Sequence, residues 1–213
     1  MLLAKNDRYW DAGNVKADVL RFDFTDDGAE AVEGFLQGRY AMVDSLPSEQ
    51  LNTLRTTRRN DFHTASRVGV YSIWFNMNDP ALAAVTEAER TQIRHALSLL
   101  IDREYICGAI AKSGQVPATA YVPDGITDAD GSAFAAHNGP DGKGGGYYPA
   151  DSESYEANCR KAIELLQAAA DSSKKFTVSK SGQCKDFPEL KVLTSDSFGH
   201  VDIANYLRDL YAK

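Results

Sequence analysis

Apolar residues at 93, 96, 97, 100, 101 and 105 recur at the spacing of one helix face, while Arg94, His95, Ser98, Asp102 and Arg103 fall largely on the other. The pattern predicts a core helix over residues 93–106 with a wet side, its Asp102 and Arg103 capping or pairing locally. Similar stripes predict helices over residues 29–36, 47–55, 155–170 and 201–211. Asp27-Gly28 and Gly38 bracket the first, Pro47 opens the second, and residues 151–154 supply caps for the fourth. Strand signals alternate with these helices. Residues 15–25 carry Val19, Phe22 and Phe24 among charges, 41–44 form a short apolar run, and 176–179 and 190–194 flank a polar turn. The clearest strand signal is residues 68–76, rich in β-branched and aromatic side chains and ended by Asn78-Asp79-Pro80. Its composition reads as a strand covered on both faces near the middle of a sheet; the sharper reading sends Trp74 and Asn76 to a cleft at the sheet end. Strands and helices in alternation point to a layered α/β architecture.

Between the core helix and residue 151 the pattern lapses. Two prolines, Pro117 and Pro123, keep residues 114–125 extended. Residues 126–148 are a Gly-, Asp- and Ala-rich stretch that reads as a flexible insertion loop.

Composition narrows the function. A chain of 213 residues with net charge -7 suits one domain or one large lobe and disfavours a nucleic-acid partner, whose phosphates demand clustered Lys and Arg. No apolar run is long enough to span a bilayer. The four histidines are scattered, no Cys pair has zinc-ligand spacing, residues 124–137 lack the closing Glu of a calcium loop, and residues 139–144 lack the spacing of a phosphate loop. No metal or cofactor is indicated. Neither a nucleophile elbow nor a motif-supported Cys–His pair occurs, so catalysis has no visible address. Cys107 reads as a small buried hydrophobe, and Cys159 and Cys184 offer a disulfide if the chain is extracytoplasmic.

A set of short motifs runs through the chain in order: Lys5-Asn6 with Tyr9-Trp10-Asp11, residues 36–39 followed by Val43-Asp44, the strand at 71–76, residues 94–104, Gly114 with Pro117-Ala118, residues 122–125, and Tyr148-Pro149 leading into the helix that reaches Leu166. Together they make the chain resemble the second lobe of family 5 solute-binding proteins, the extracytoplasmic receptors of oligopeptide and dipeptide ABC importers. The residue 129–146 stretch and Cys159 with Cys184 fall outside that family's pattern.

The resemblance implies a three-layer αβα lobe with a mixed sheet, one half of a type II periplasmic-binding-protein-like fold, occupying residues 1–213. It implies a non-catalytic wall of a cleft that closes on a peptide ligand by hinge motion. Tyr71, Trp74, Asn76, Gln115, Tyr121 and Pro123 are the candidates to face that cleft, whereas the helix at 93–106 is expected to be scaffold. It further implies ABC permease subunits as partners and an extracytoplasmic, periplasmic or lipoprotein setting. The membrane is then reached only through an N-terminal anchor outside this sequence, as the companion lobe also is. Rival readings from the residues alone are a hydrolase-like enzyme domain and a cell-surface adhesion or scaffold module.

Overall fold

The computed structural model describes residues 1–212 apart from Ser66, Asn138, Tyr148 and Phe198. Tyr148, one of the motif residues, therefore lies outside the described set. The chain divides into two compact units, Met1–Gln50 and Leu51–Lys213.

In the first unit β1 (Leu2–Ala4) pairs antiparallel with β2 (Val19–Arg21), Leu3 opposite Leu20. Helix α1 (Gly28–Leu36) follows, and the Asp27 carboxylate caps it by accepting from the Ala29 and Glu30 amides. Val32 is the buried apolar residue of this helix. A Cβ at Gly34 would overlap the Tyr40 ring, so glycine here leaves the helix face clear for that side chain. Helix α2 (Ser48–Thr57) leads into the second unit and buries Leu51 and Leu54.

The second unit is organised by two helices. Helix α3 (Glu87–Leu99) opens on a reciprocal capping box, with Thr86 Oγ1 accepting from the Glu89 amide and the Glu89 carboxylate accepting from the Thr86 amide. Ile93, Ala96, Leu97 and Leu99 form its buried face. They pack in one cluster with Ala162, Leu166, Ala169 and Ala170 of α5 (Ser152–Ser173) and with Phe176 beyond it. Ala96, Ala162 and Ala169 are fully buried, so methyl groups fill the seam between the two helices.

The core helix stops earlier than its periodicity predicts, at Leu99 rather than residue 106, and starts earlier as well. Asp102 interrupts it: its carboxylate accepts from the Tyr105 amide and caps a new turn, α4 (Arg103–Tyr105), which runs into a π-helical stretch at Ile106–Ala111. The last carbonyls of α3, orphaned by the break, find side-chain donors instead. Arg103 donates to the Ser98 and Ile101 carbonyls, Tyr155 of α5 to Leu100, and Tyr211 to Leu97. Tyr211 belongs to α6 (His200–Tyr211), which buries Ile203 and Leu207.

Strand expectations fare differently. Among the described residues the mixed sheet of the expected layered lobe is represented by two short antiparallel pairs: β1 with β2, and β3 (Thr177–Val178) with β4 (Cys184–Lys185). Residues 41–44, 68–76 and 190–194 form no strand. A strand exists only as part of a ladder, and Ile73, Trp74, Phe75 and Leu193 keep more than a third of their surface exposed, which matches neither a paired nor a two-sided buried strand.

Candidate functional site

Residues 68–76 and the segment 114–125 touch at two places in the second unit, and bends at 119–122 and a turn at 124–125 fold the second segment, which its prolines were expected to keep extended. A Cβ on Gly125 would lie 3.8 Å from Val68, and Trp74 meets Tyr121 edge to face with ring centroids 5.4 Å apart. Trp74 is 73% exposed and Tyr121 64%, so the pair offers two aromatic surfaces to an incoming molecule. Tyr71, also exposed, lies beside the ring of His200 at 4.6 Å between centroids. His200 is fixed in turn by Ser195 and Ser197, whose hydroxyls each sit 2.7 Å from its Nδ1.

The six residues singled out from the sequence thus divide. Trp74 and Tyr121 are brought together, and Tyr71 is on the same segment with a separate aromatic neighbour. Asn76 uses its side-chain oxygen locally, accepting from the Asn78 amide, and Gln115 does the same for the Ser113 amide. Pro123 is half-buried in its loop. His200 was not among the candidates. The signal for it was the Ser195, Ser197 and His200 spacing immediately before an amphipathic helix, which reads equally well as ordinary capping chemistry.

A second feature lies at the start of α5. A recess of about 700 Å³ is lined by Glu104, Pro117, Thr119, Asp141, Tyr147 and Asp151, with glycines 144–146 in its wall. Glu104 accepts hydrogen bonds from the Ser152 amide and hydroxyl, and Asp151 caps α5 through the Ser154 amide. Hydrogen bonds from Ser154 hold the Asp151 carboxyl below the usual carboxylate range. Both acids therefore serve the helix start while facing the recess. None of the six sequence candidates lines it.

Cysteine placement is mixed. Cys107, Cys159 and Cys184 are all free thiols in this structure. Cys107 is half-buried, and burial, with Glu104 nearby, pushes its thiol up. No helix among the described residues is long and apolar enough to cross a membrane.

The whole chain, residues 1–213, matches the family described as Bacterial extracellular solute-binding proteins, family 5 Middle. Two similar proteins are the oligopeptide-binding protein OppA of Bacillus subtilis, 25% identical across 99% of this chain and 34% of its own, and the dipeptide-binding protein DppE of the same organism, 27% identical across 64% of this chain and 24% of its own. Among solved structures, the unliganded open form of the murein tripeptide binding protein MppA superposes with a TM-score of 0.58 at 20% identity, covering 99% of this chain and 35% of MppA. Burkholderia pseudomallei OppA gives a TM-score of 0.57 at 17% identity, covering 81% of this chain and 30% of that protein. The chain spans about a quarter to a third of the length of these relatives. Their fold is the type II periplasmic-binding-protein fold, and the α/β lobe described above shares it. With its full length matched, this chain belongs to the family 5 bacterial extracellular solute-binding proteins.

Proposed function

We propose that this chain is the ligand-binding lobe of the substrate-binding component of an ABC importer for oligopeptides or dipeptides, without catalytic activity. The observation that carries the reading is the exposed ring pair of Trp74 and Tyr121, with the exposed Tyr71 on the Trp74 segment, in a family whose relatives above are peptide-binding proteins by name. A receptor for peptides of varied sequence needs broad, rigid aromatic faces that tolerate different side chains. On this reading Asn76, Gln115 and Pro123 shape the same wall, and a companion lobe completes the cleft. Permease subunits are the partners, and the setting is extracytoplasmic, with a lipid anchor on the full-length protein. In that setting the Cys159 and Cys184 thiols, free in this structure, are the pair available for a disulfide; three titratable thiols in unfolded, unreduced protein overturn that pairing.

The test uses the full-length receptor carrying this lobe, freed of co-purified ligand by unfolding and refolding. Calorimetry with Ala-Ala-Ala and with a mixed set of di- to pentapeptides is expected to show saturable binding. Trp74→Ala and Tyr121→Ala should each weaken it about tenfold, the scale of losing an aromatic anchor. Absence of binding across the whole set, or hydrolysis of the peptides seen by mass spectrometry, overturns the reading.

A further inference from the structure

Asp-Gly is a reactive dipeptide, and this chain holds four: Asp27-Gly28, Asp124-Gly125, Asp130-Gly131 and Asp141-Gly142. Glycine has no Cβ to shield its amide nitrogen, so that nitrogen can reach the carboxyl carbon of the preceding aspartate and close a five-membered ring. Closure needs a carboxyl group free to turn and an amide nitrogen free of other bonds. The sequence treats the four dipeptides alike, whereas the fold restrains three of them.

At the start of α1 the Asp27 carboxylate accepts from the Ala29 and Glu30 amides at 2.9 and 3.0 Å, and Gly28 is buried. The Asp130 carboxylate accepts from the Ser132 amide at 2.9 Å, while the Gly131 amide donates to the Asp128 carbonyl at 2.9 Å. The Asp141 carboxylate accepts from the Lys143 amide at 3.1 Å and pairs with its ammonium at 3.7 Å, while the Gly142 amide donates to the Gly139 carbonyl at 3.1 Å. Ring closure at each of these has to break bonds first.

Asp124 and Gly125 are the exposed central residues of a turn, with Gly125 at φ +91, the left-handed third position that a type II turn demands. The peptide joining the two central residues of such a turn stands outside the turn's own hydrogen bond, which runs from the first residue to the fourth. Among the described residues, accordingly, the Gly125 amide donates to nothing and the Asp124 carboxylate accepts from nothing.

We propose that Asp124-Gly125 is a self-modification site, at which the folded chain forms isoaspartate without an enzyme. The Gly125 nitrogen attacks Asp124 Cγ; a nitrogen–carbon bond forms, and the carboxyl hydroxyl leaves with the amide proton as one water, giving a succinimide. Water then adds to the ring. Opening at Cγ restores aspartate, whereas opening at the main-chain carbonyl carbon breaks the original peptide bond and gives isoaspartate, whose backbone runs through Cβ and Cγ. One water is lost and one is gained, so no other reactant is needed. The backbone gains an atom at the point where this segment meets Val68, which alters the spacing between residues 68–76 and the segment that carries Tyr121.

The test incubates the folded chain at neutral pH and physiological temperature in water enriched in oxygen-18, digests it in ordinary water, and separates isoaspartyl from aspartyl peptides by chromatography with electron-transfer fragmentation. A parallel sample is held unfolded in urea. The unfolded chain should convert its Asp-Gly dipeptides at similar rates. In the folded chain Asp124 should lead each of the others by about two- to tenfold, the factor set by a hydrogen bond that must break first, and its product should carry oxygen-18. Asp124→Glu, whose longer side chain cannot close the same ring, should abolish the isoaspartyl peptide at this position and leave the other sites unchanged. No conversion at Asp124, equal or faster conversion at another Asp-Gly in the folded chain, the same lead in the unfolded chain, or a product without oxygen-18 overturns the proposal. The readout does not depend on peptide binding.

Discussion

Tyr211 donates to the Leu97 carbonyl at 2.8 Å across 114 residues of sequence, joining the C-terminal helix to the broken end of the core helix. Tyr211→Phe removes that one donor and retains the ring, so the change in apolar burial is close to zero. The loss is then the hydrogen bond plus the cost of leaving a partly buried carbonyl without it, about 1–2 kcal/mol. For a chain of this size each kcal/mol corresponds to about 2–4 °C, so the melting temperature should fall by roughly 2–8 °C. Urea unfolding followed by circular dichroism should show a lower midpoint with an unchanged slope, because the surface exposed on unfolding is the same. The neighbouring tie, Tyr155 to the Leu100 carbonyl at 3.0 Å, supplies an internal control. If both hydroxyls hold the same fraying helix end, Tyr155→Phe combined with Tyr211→Phe should deviate from additivity by more than about 0.5 kcal/mol. An unchanged urea midpoint for Tyr211→Phe, with unaltered amide exchange in α6, would refute the view that side-chain donors hold the end of α3.

The same tyrosines predict an alkaline weakness. Burial pushes the hydroxyls of Tyr155, Tyr206 and Tyr211 above their ordinary range. The folded state therefore keeps protons that the unfolded state releases above about pH 10, so stability is full below that pH and falls as pH rises further. Urea melts at pH 8 and pH 10.5 should show the drop, and Tyr155→Phe with Tyr211→Phe should flatten it. In the seam between α3 and α5, Ile93→Ala opens a cavity at a residue with no exposed surface and should cost about 2–5 kcal/mol by chemical denaturation. A cost below about 1 kcal/mol would mean that the alanine-lined seam collapses onto the space.

The helices were legible because their signals are local. Spacing and caps at Asp27, Asp102 and Asp151 act within a few residues, and each of these carboxylates does cap a helix. What periodicity could not show was the break at residues 100–102, because the apolar positions keep helical spacing across it while Asp102 and Arg103 reroute the backbone hydrogen bonds. Strands were less legible because a ladder depends on a partner distant in sequence: residues 68–76 have the composition of a strand, but composition names no partner. The site divides along the same line. Trp74 and Tyr121 were recognisable as large aromatics on proline-bounded segments, whose rings have little local backbone to satisfy. Asn76 and Gln115 carry short-range hydrogen-bonding groups, and for such side chains a neighbouring amide two residues away competes with any ligand. The glycines of residues 139–146 sharpen the point. Gly142 and Gly145 have positive φ with open space around them, Gly139 leaves no room for a Cβ against backbone oxygens, and Gly146 combines positive φ with the same close approach. Glycine chosen for close approach and glycine chosen for freedom are identical in a sequence, and only the atoms around them separate a built wall from a slack tether.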